Sequence, residues 1–213
     1  MRHVAVIDYG MGNLRSASKA LETVAQDAVI EVTSDPEQIL KASHVLFPGV
    51  GAIRDCIAEL KRRGLDEVIY ESAKSKPFLA ICIGMQALLS HSDENGGVDS
   101  LDLISGNVKK FNDHLERDQA DFKVPHMGWN QVQQTVSHPL WQNIEQASHF
   151  YFVHSYYTVP DDKSVIAATA QYQHDFTAAL HKDNIFAVQF HPEKSHHAGL
   201  QLLENFINWD GQS

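Results

Sequence analysis

Cys82 is the residue whose setting most clearly favours chemistry. It ends the apolar run 78–82 and stands directly before a segment with helical periodicity. A nucleophile on a sharp strand-to-helix turn is exposed at the carboxyl edge of a parallel sheet, and such a turn needs small neighbours, here Ala80 and Gly84. The first N–H groups of the helix favour a thiolate over a thiol. A buried structural cysteine is the alternative, and this pattern by itself does not decide between them.

The motif His191-Pro192-Glu193 supplies a candidate base for such a thiolate. It follows the apolar segment 185–190 and therefore falls at the end of another predicted strand. Pro192 disfavours helix at His191 and makes the loop rigid. Glu193 can then bond one ring nitrogen while the other faces the thiol, as a nucleophile and its acid/base require. The chain has 13 histidines, most of which we expect to be structural or on the surface, so the motif alone is not decisive.

Backbone N–H groups near Cys82 could stabilise the negative charge that develops when an amide is attacked. The N–H of Ile83, directly after the cysteine, is one candidate donor. A second could come from the loop Pro48-Gly49-Val50-Gly51, which follows a predicted strand and whose glycines permit unusual backbone angles. An ordinary glycine turn is the alternative interpretation of this loop.

The segments that must position these residues alternate between strand and helix in the first half of the chain. Apolar strands separated by helices favour a parallel sheet covered on both faces. In the second half, strand-like runs with few helices between them indicate hairpins. We therefore predict an α/β fold in a single domain, residues 1–213, with a central, mostly parallel sheet flanked by helices and an additional antiparallel or mixed sheet portion in the second half. The predicted strands are 4–8, 28–33, 44–47, 78–82, 108–111, 129–132, 149–154, 165–171, 177–181 and 185–190, and the predicted helices are 13–26, 52–63, 83–91 and 196–209, with another helix start at 34–36.

Composition and charge narrow the functional classes. The 213 residues carry a net charge of -10 and no basic run, so neither a nucleic acid nor an anionic membrane is expected as a partner. No segment approaches the ~20 apolar residues of a membrane span, and no signal peptide is recognisable. Cys56 falls among the apolar residues of a predicted helix, so we assign it to the core. Two cysteines do not make a disulfide framework, and we expect a location in the reducing cytoplasm.

The three elements, in this order, resemble the class I, triad-type glutamine amidotransferases, whose fold is flavodoxin-like. More closely, the chain is similar to the glutaminase subunits of imidazole glycerol phosphate synthase, an enzyme of histidine biosynthesis. The cysteine and His-Pro-Glu motifs are typical of the whole superfamily. The segments that narrow the resemblance to this subunit are Pro-Gly-Val-Gly at 48–51, Pro-His-Met-Gly-Trp-Asn at 125–130 and Phe-Val-His-Ser-Tyr at 152–156. The matching segments are Asp8-Tyr9-Gly10-Met11-Gly12-Asn13, Phe47-Pro48-Gly49-Val50-Gly51-Ala52, Ile81-Cys82-Ile83-Gly84-Met85-Gln86, Val124-Pro125-His126-Met127-Gly128-Trp129-Asn130, Phe150-Tyr151-Phe152-Val153-His154-Ser155-Tyr156 and Gln189-Phe190-His191-Pro192-Glu193-Lys194-Ser195.

The resemblance implies a role for each residue at a matching position. Cys82 would be the nucleophile, His191 the acid/base and Glu193 the residue that orients it. Val50 and Ile83 would provide the N–H groups of an oxyanion hole. Neither a cofactor nor a metal would be needed. The positions implied to hold glutamine are Gly51, Gln86, Ser155 and Tyr156, and those at or near a partner interface are Asn13 and Lys194.

The implied reaction is hydrolysis of L-glutamine to glutamate and ammonia through a glutamyl thioester. The implied partner is a (βα)8-barrel cyclase, which forms a heterodimer with the subunit and receives the ammonia. Because hydrolysis without an acceptor is wasteful, we expect weak activity in isolation and a Gly49-Val50 peptide that turns its N–H inward when the synthase is loaded. Another class I amidotransferase subunit and a free-standing glutamyl hydrolase remain alternatives. A degenerate binding subunit would be expected to have a broken triad, and this triad is complete.

Two positions depart from the family pattern. Ala80 stands where the superfamily usually has glycine, which adds a methyl group beside the nucleophile turn. We expect the change to be tolerated. His196-His197 follows Ser195 where the family more often begins with glutamine, which changes how the last helix opens without touching the triad.

Two other kinds of site are weakly indicated and not expected. Gly10-Met11-Gly12, with Glu31 further on, matches part of a dinucleotide fingerprint, but Arg15 occupies the position of the third glycine. A histidine-rich group could bind a metal, but Pro192 interrupts the helical spacing that such ligands usually have. This group consists of His181, His191, Glu193, His196 and His197.

Overall fold

The computed structural model describes residues 2–112 and 123–212, which form fourteen strands and six α-helices in the described part of the chain. The strands are β1 (Arg2–Ile7), β2 (Ala28–Thr33), β3 (His44–Gly49), β4 (Phe78–Cys82), β5 (Leu89–Ser92), β6 (Val98–Asp99), β7 (Ile104–Lys110), β8 (His126–Gln131), β9 (Gln133–Gln134), β10 (His149–His154), β11 (Tyr156–Pro160), β12 (Ile166–Gln171), β13 (Asp175–Lys182) and β14 (Ile185–Val188). The helices are α1 (Leu14–Val24), α2 (Pro36–Lys41), α3 (Ile53–Arg63), α4 (Leu65–Ser75), α5 (Ile83–Ala87) and α6 (His196–Asn208).

One half of the main sheet is parallel, in the order β2-β1-β3-β4-β14. All residues of β3, β4 and β14 are buried, because helices cover both faces of a sheet of this kind. The order is that of doubly wound, flavodoxin-like sheets, which bind ligands at the carboxyl ends of their strands. The predicted α/β fold class is confirmed, and β3, β4 and β14 are the strands that end next to the candidate site residues.

The other half of the sheet is mostly antiparallel and continues in the order β14-β13-β11-β7-β5-β6. β12 pairs with β13 and with β9, and β8 pairs with β10 in a separate two-stranded sheet. Among the described strands of this half, only β5 and β7 pair in parallel. The predicted mixed portion of the second half is therefore present.

The helix predicted for residues 83–91 is wrong beyond its first turn and a half. α5 ends at Ala87, and Leu89–Ser92 form a strand that pairs with β6 and β7. The pairing partners lie after residue 97 in the sequence, so local periodicity could not reveal them. No helix was predicted for α4 and no strand for β6, β9 or β11, while β2, β4 and β10 have the predicted bounds.

Cys56 lies within α3 and is fully buried, as predicted. Both cysteines are free thiols. Within residues 2–112 and 123–212, no helix is both long and apolar enough to cross a membrane.

Candidate active site

Cys82 occupies a strained turn between β4 and α5. Its backbone has φ 56° and ψ −108°, a region that residues with a side chain rarely adopt. Its side chain is nearly buried, with 4% of the residue exposed. A Cβ on Gly84 would collide with the carbonyl oxygen of Phe47, so the turn can approach β3 only because this position is glycine. The turn predicted from the small neighbours of Cys82 is therefore present.

Ala80 lies two residues before the cysteine, in the middle of β4. It is fully buried and pairs with Phe47 of β3 and Ala187 of β14. It is not among the described residues with positive φ, so the backbone does not require glycine there. The methyl group is packed against the buried face of the sheet, and Cys82 is the residue of β4 with a positive φ.

His191 and Glu193 form a buried pair. Nδ1 of His191 lies 2.8 Å from Oε1 of Glu193, and the two side chains are only 2% and 3% exposed. Nε2 of His191 is also buried and has no hydrogen-bond partner in the described residues. The carboxylate thus orients the ring through one nitrogen and leaves the other available for proton transfer.

The loop that carries this pair is held by backbone contacts that the sequence analysis did not predict. The N–H of His191 donates to the carbonyl oxygen of Tyr151 in β10, at 2.9 Å. Oγ of Ser195 donates to the carbonyl oxygen of His191 at 2.6 Å and accepts from the N–H of Tyr151 at 2.9 Å. Gly199 allows α6 to approach the carbonyl oxygen of Pro192, which a Cβ would strike. His191 is therefore fixed by β10 and α6 as well as by Glu193.

The environment of His191 stabilises the imidazolium. Burial lowers its pKa, but hydrogen bonding and charge interactions with Cys82 and Glu193 outweigh burial and raise the pKa to about 10. Cys82 and His191 interact although Nε2 has no regular hydrogen bond. The histidine is therefore protonated at neutral pH, beside a cysteine that can carry the compensating negative charge.

A cavity of about 320 Å³ opens over the cysteine, and a small-molecule substrate fits in a space of this size. The cavity brings together residues from both halves of the sheet. Eight of the predicted site residues line it, namely Val50, Gly51, Cys82, Ile83, Gln86, Ser155, Tyr156 and His191, together with Glu94, Pro125, Val153 and His154. Glu193 is not in the lining, because it lies behind His191.

The two candidate oxyanion-hole residues stand at the ends of neighbouring strands. Gly49 of β3 is the register partner of Cys82 in β4, so Val50 and Ile83 follow side by side. Gly49 is tightly enclosed, since a Cβ there would lie 2.8 Å from the backbone nitrogen of Gly84 and 2.9 Å from the hydroxyl of Tyr9. The two strand ends therefore bring Val50 and Ile83 together at the wall of the cavity.

Gln86 is buried in the floor of the site. Its Nε2 donates to the carbonyl oxygen of Tyr156 and to Oε1 of Gln189, both at 3.0 Å. Its Oε1 is buried without a partner among the described residues. Gln86 therefore has one acceptor without a partner, and this atom is enclosed beside the cavity that the residue lines.

Two residues at this site were missed by the sequence analysis. Glu94 lines the cavity, and its Oε2 accepts from the N–H of Ile53 at 2.9 Å. It comes from a polar loop without a recognisable motif, so nothing in the sequence singled it out. Gln189 is fully buried, with Nε2 3.6 Å from Sγ of Cys82. Gln189 belongs to the His-Pro-Glu segment, and its position two residues before His191 was the available signal.

The two predicted interface residues lie outside the cavity. Asn13 precedes α1, is half-buried, and lines a small gap with Gly49, Val50 and Glu193 behind the site. Lys194 is exposed, and its Nζ lies 5.8 Å from the centre of the Tyr151 ring. Neither position identifies a partner by itself.

The two weakly indicated sites have other local explanations. Glu31 of β2 is hydrogen-bonded to His3 of β1, with 2.7 Å between Oε2 and Nε2. His196 stacks on Trp129, with the rings 4.9 Å apart and 3° from parallel. In the part of the chain that the structure describes, no three His, Cys, Asp or Glu side chains are grouped as metal ligands.

Comparison with known proteins identifies the class. The model of the family "Glutamine amidotransferase class-I" matches residues 5–209. A solved glutamine amidotransferase has a TM-score of 0.70 at 14% identity, covering 97% of this chain and 99% of that one. PurLQS from Thermotoga maritima has a TM-score of 0.72 at 17% identity, covering 97% and 98%. At these identities the solved structures show the shared fold.

Relatives of higher identity define the group within the class. The imidazole glycerol phosphate synthase subunit HisH of Nitrosococcus oceani is 59% identical over 213 residues, covering 100% of both chains. The HisH subunit of Acinetobacter baylyi is 56% identical over 211 residues, covering 99% of this chain and 100% of that one. The chain belongs to the class I glutamine amidotransferase family, in the group of imidazole glycerol phosphate synthase subunits HisH.

Proposed function

We propose that the chain is the glutaminase subunit of an imidazole glycerol phosphate synthase and hydrolyses L-glutamine to glutamate and ammonia. Cys82 is the nucleophile, His191 the acid/base and Glu193 the residue that orients the imidazole. The observation that carries this proposal is that a cysteine with a φ of 56° and a histidine whose pKa is raised to about 10 line the same cavity.

In the first half of the reaction, the Cys82 thiolate attacks the carbon of the glutamine side-chain carboxamide and forms a C–S bond. The carbonyl oxygen takes the negative charge, which the N–H groups of Val50 and Ile83 stabilise. His191 then gives its proton to the amide nitrogen, the C–N bond breaks, and ammonia leaves a glutamyl thioester.

In the second half, water attacks the thioester carbon while His191 accepts a proton from it. The C–S bond breaks, which releases glutamate and restores the thiolate and the imidazolium. The buried pair of His191 and Glu193, 2.8 Å apart, suits a ring that must exchange a proton twice without turning. No step requires a cofactor.

The polar groups of the cavity support glutamine as the substrate. Glu94 contributes a carboxylate that can pair with the α-ammonium group, and Gln86 lines the same cavity and is assigned to glutamine binding. Gly51, Ser155 and Tyr156 complete the wall and are assigned to glutamine binding. A carboxylate in the same cavity as the cysteine also disfavours anionic substrates that lack an ammonium group.

The partner is a (βα)8-barrel cyclase, which forms a heterodimer with this chain and takes up the ammonia. Asn13 and Lys194 are assigned to or near that interface. The relatives' name as synthase subunits supports this assignment. Isolated hydrolysis is expected to be slow, because the Gly49-Val50 peptide must turn its N–H toward the cavity when the synthase is loaded.

The experiment that tests the proposal is glutamate release from glutamine by the purified chain, alone and with the cyclase barrel and its nucleotide substrate. A large rise on adding both supports glutaminase, partner and coupling together. Full-rate activity of the chain alone would refute the coupling and favour a free-standing glutamyl hydrolase. Stimulation by a different synthase would indicate another amidotransferase subunit.

A reducing compartment, the cytoplasm, suits a reaction that depends on a free thiol. The family match over residues 5–209 supports a single amidotransferase domain for residues 1–213.

A further inference from the structure

Gln189 places an amide group directly against the reacting sulfur. The residue follows β14, is fully buried, and has Nε2 3.6 Å from Sγ of Cys82. The mechanism above uses an acid/base and an oxyanion hole but assigns nothing to this contact. A buried amide N–H beside a sulfur stabilises the thiolate, because a hydrogen bond to a charged group is stronger than one to a neutral group.

The direction of the Gln189 amide is fixed by a backbone carbonyl. The carbonyl oxygen of Tyr156 can only accept, so the group of Gln86 that faces it at 3.0 Å must be the NH2 group. The same NH2 group lies 3.0 Å from Gln189, which must therefore present its oxygen. This leaves the NH2 group of Gln189 facing Cys82. The Tyr156 carbonyl thus fixes the orientation of the Gln86 amide, which fixes that of the Gln189 amide, and Gln189 in turn directs an N–H at the sulfur.

A second series of hydrogen bonds also ends at the Tyr156 carbonyl oxygen. Oδ1 of Asn130 accepts from the N–H of Gln131 at 2.8 Å, so Nδ2 of Asn130 is the donor toward Nε2 of His126 at 3.3 Å. Nδ1 of His126 then donates to Nε2 of His154 at 2.9 Å. Nδ1 of His154 in turn donates to the carbonyl oxygen of Tyr156 at 2.8 Å.

Both imidazoles must be neutral for this series of hydrogen bonds to form, since a protonated ring would place an N–H against another donor. Burial lowers the pKa of His126 to about 4 and is the main cause that lowers the pKa of His154 to about 3. The tautomers required by Asn130 and by the Tyr156 carbonyl agree. Each donor in the series from Asn130 to Tyr156 therefore faces an acceptor, and all the hydrogen bonds run in one direction.

We propose that Gln189 is a catalytic residue that donates an amide N–H to the Cys82 thiolate, and that His154 and His126 are positioning residues that act through the Tyr156 carbonyl. The proposal rests on Cys82 as the nucleophile of the proposed glutaminase. The Tyr156 carbonyl oxygen accepts hydrogen bonds from both Gln86 and His154. It thereby fixes the side-chain amides of Gln86 and Gln189 in the orientation that directs an N–H of Gln189 at the sulfur.

The test measures alkylation of Cys82 by iodoacetamide as a function of pH, without glutamine, by mass spectrometry of the Cys82 peptide in the full chain. Gln189→Met keeps the side-chain length and removes the donor. We expect Gln189→Met to be alkylated about tenfold more slowly than the parent below neutral pH, because losing the donor lowers the fraction of Cys82 present as thiolate. The difference should disappear at high pH, where the thiol is ionised in both proteins. The kcat for glutamine should fall with little change in KM.

Thr158→Val is the matched control. Thr158 is buried in β11, near Tyr156 in sequence, and its Oγ1 has no partner within the described residues. This variant removes a buried polar atom without touching either hydrogen-bond chain, so its alkylation profile should match that of the parent. A profile of Gln189→Met that superimposes on the control overturns the proposal.

A second pair of variants tests the histidine chain independently of whether Gln189→Met folds. His154→Asn places an amide donor where Nδ1 of His154 stands, whereas His154→Leu removes the donor to the Tyr156 carbonyl. We expect the alkylation profile of the Asn variant to stay near that of the parent and that of the Leu variant to shift toward higher pH. Equal profiles for the two variants overturn the positioning role.

The outcomes also separate this proposal from the proposed function. If Cys82 of the parent protein is not alkylated and no glutamate is released, the nucleophile assignment itself fails. If the parent is alkylated at Cys82 and releases glutamate but Gln189→Met behaves identically, only the role of Gln189 fails.

Discussion

Nδ1 of His191 lies 2.8 Å from Oε1 of Glu193, and both side chains are almost completely withdrawn from solvent. The second carboxylate oxygen, Oε2, is buried with no partner among the described residues. A carboxylate buried in this way depends on the imidazolium for compensation, and the imidazolium depends on it in turn. The pair therefore sets both the orientation and the charge of the acid/base.

Glu193→Gln should keep the shape of the pair while removing its charge. We expect kcat to fall about 10²- to 10⁴-fold, as when the carboxylate that orients the catalytic histidine of other triads is replaced by an amide. Because Glu193 is one of the groups that raise the pKa of His191, the alkaline limb of kcat/KM should move to lower pH. Steady-state rates from pH 6 to 10 measure both effects. The control is Glu71→Gln on the exposed face of α4; an alkaline limb at its original pH in Glu193→Gln would contradict the assignment.

Cys82→Ala should abolish glutamate formation and leave subunit assembly intact. The rate is expected to drop at least about 10⁴-fold, since no other group can form the thioester. Glutamate release and size-exclusion chromatography with the cyclase barrel provide the two measurements. Loss of assembly in this variant would mean that the turn at φ 56° has a structural role beyond the chemistry.

Glu94→Gln should weaken glutamine binding with little change in the chemical step. The substitution keeps an oxygen that can accept from the N–H of Ile53, so the start of α3 should be preserved. Loss of the charge opposite the α-ammonium group predicts a KM about tenfold higher. Initial rates against glutamine concentration test this, and an unchanged KM would remove Glu94 from the binding site.

Ala80→Gly should destabilise the fold without improving catalysis. The methyl group is buried in β4 and the backbone there has no positive φ, so glycine brings only lost packing and greater freedom of the unfolded chain. We expect the free energy of unfolding to fall by about 1–2 kcal/mol. Urea denaturation and kcat, measured side by side, check this; a substantial gain in kcat would show that the alanine distorts the turn.

Stability should decrease as the pH falls from about 6.5 toward 5. Burial is the main cause that lowers the pKa of His126, His138 and His154, to about 4, 4 and 3. In this window these three histidines are neutral in the folded chain and become protonated in the unfolded chain, so together they take up as many as three protons on unfolding. His44, whose pKa burial also lowers, adds to this uptake. His191, whose pKa is raised to about 10, is fully protonated in the folded chain but only half protonated at pH 6.5 in the unfolded chain, so it opposes this slope near pH 6.5 and stops contributing toward pH 5.

Urea denaturation at several pH values measures this slope. His138→Asn should reduce it by about one proton, since the asparagine cannot titrate but can still accept from the N–H of Leu140, as Nδ1 of His138 does at 3.2 Å. A slope that does not change in this variant would be inconsistent with a neutral, buried His138.

Several features were determined by the sequence itself. The apolar run 78–82, the small residues around Cys82 and the His-Pro-Glu motif are local patterns, and each is formed by residues that are adjacent in the chain. Turn chemistry and strand periodicity depend on such neighbours, which is why β4 and the turn at Cys82 were predicted correctly. The parallel half of the sheet followed from the alternation of strands and helices.

Other features were decided only by the tertiary structure, because they depend on residues that are far apart in the chain. β5 replaces the predicted end of a helix because Leu89–Ser92 pair with β7. Glu94 reaches the cavity from a loop with no motif. Gln189 contacts Gln86 and Cys82, which lie 103 and 107 positions before it in the sequence. Hydrogen-bond direction and burial are set by these long-range contacts. The sequence therefore determined which residues could react, and the packing of strand ends decided how they are aimed.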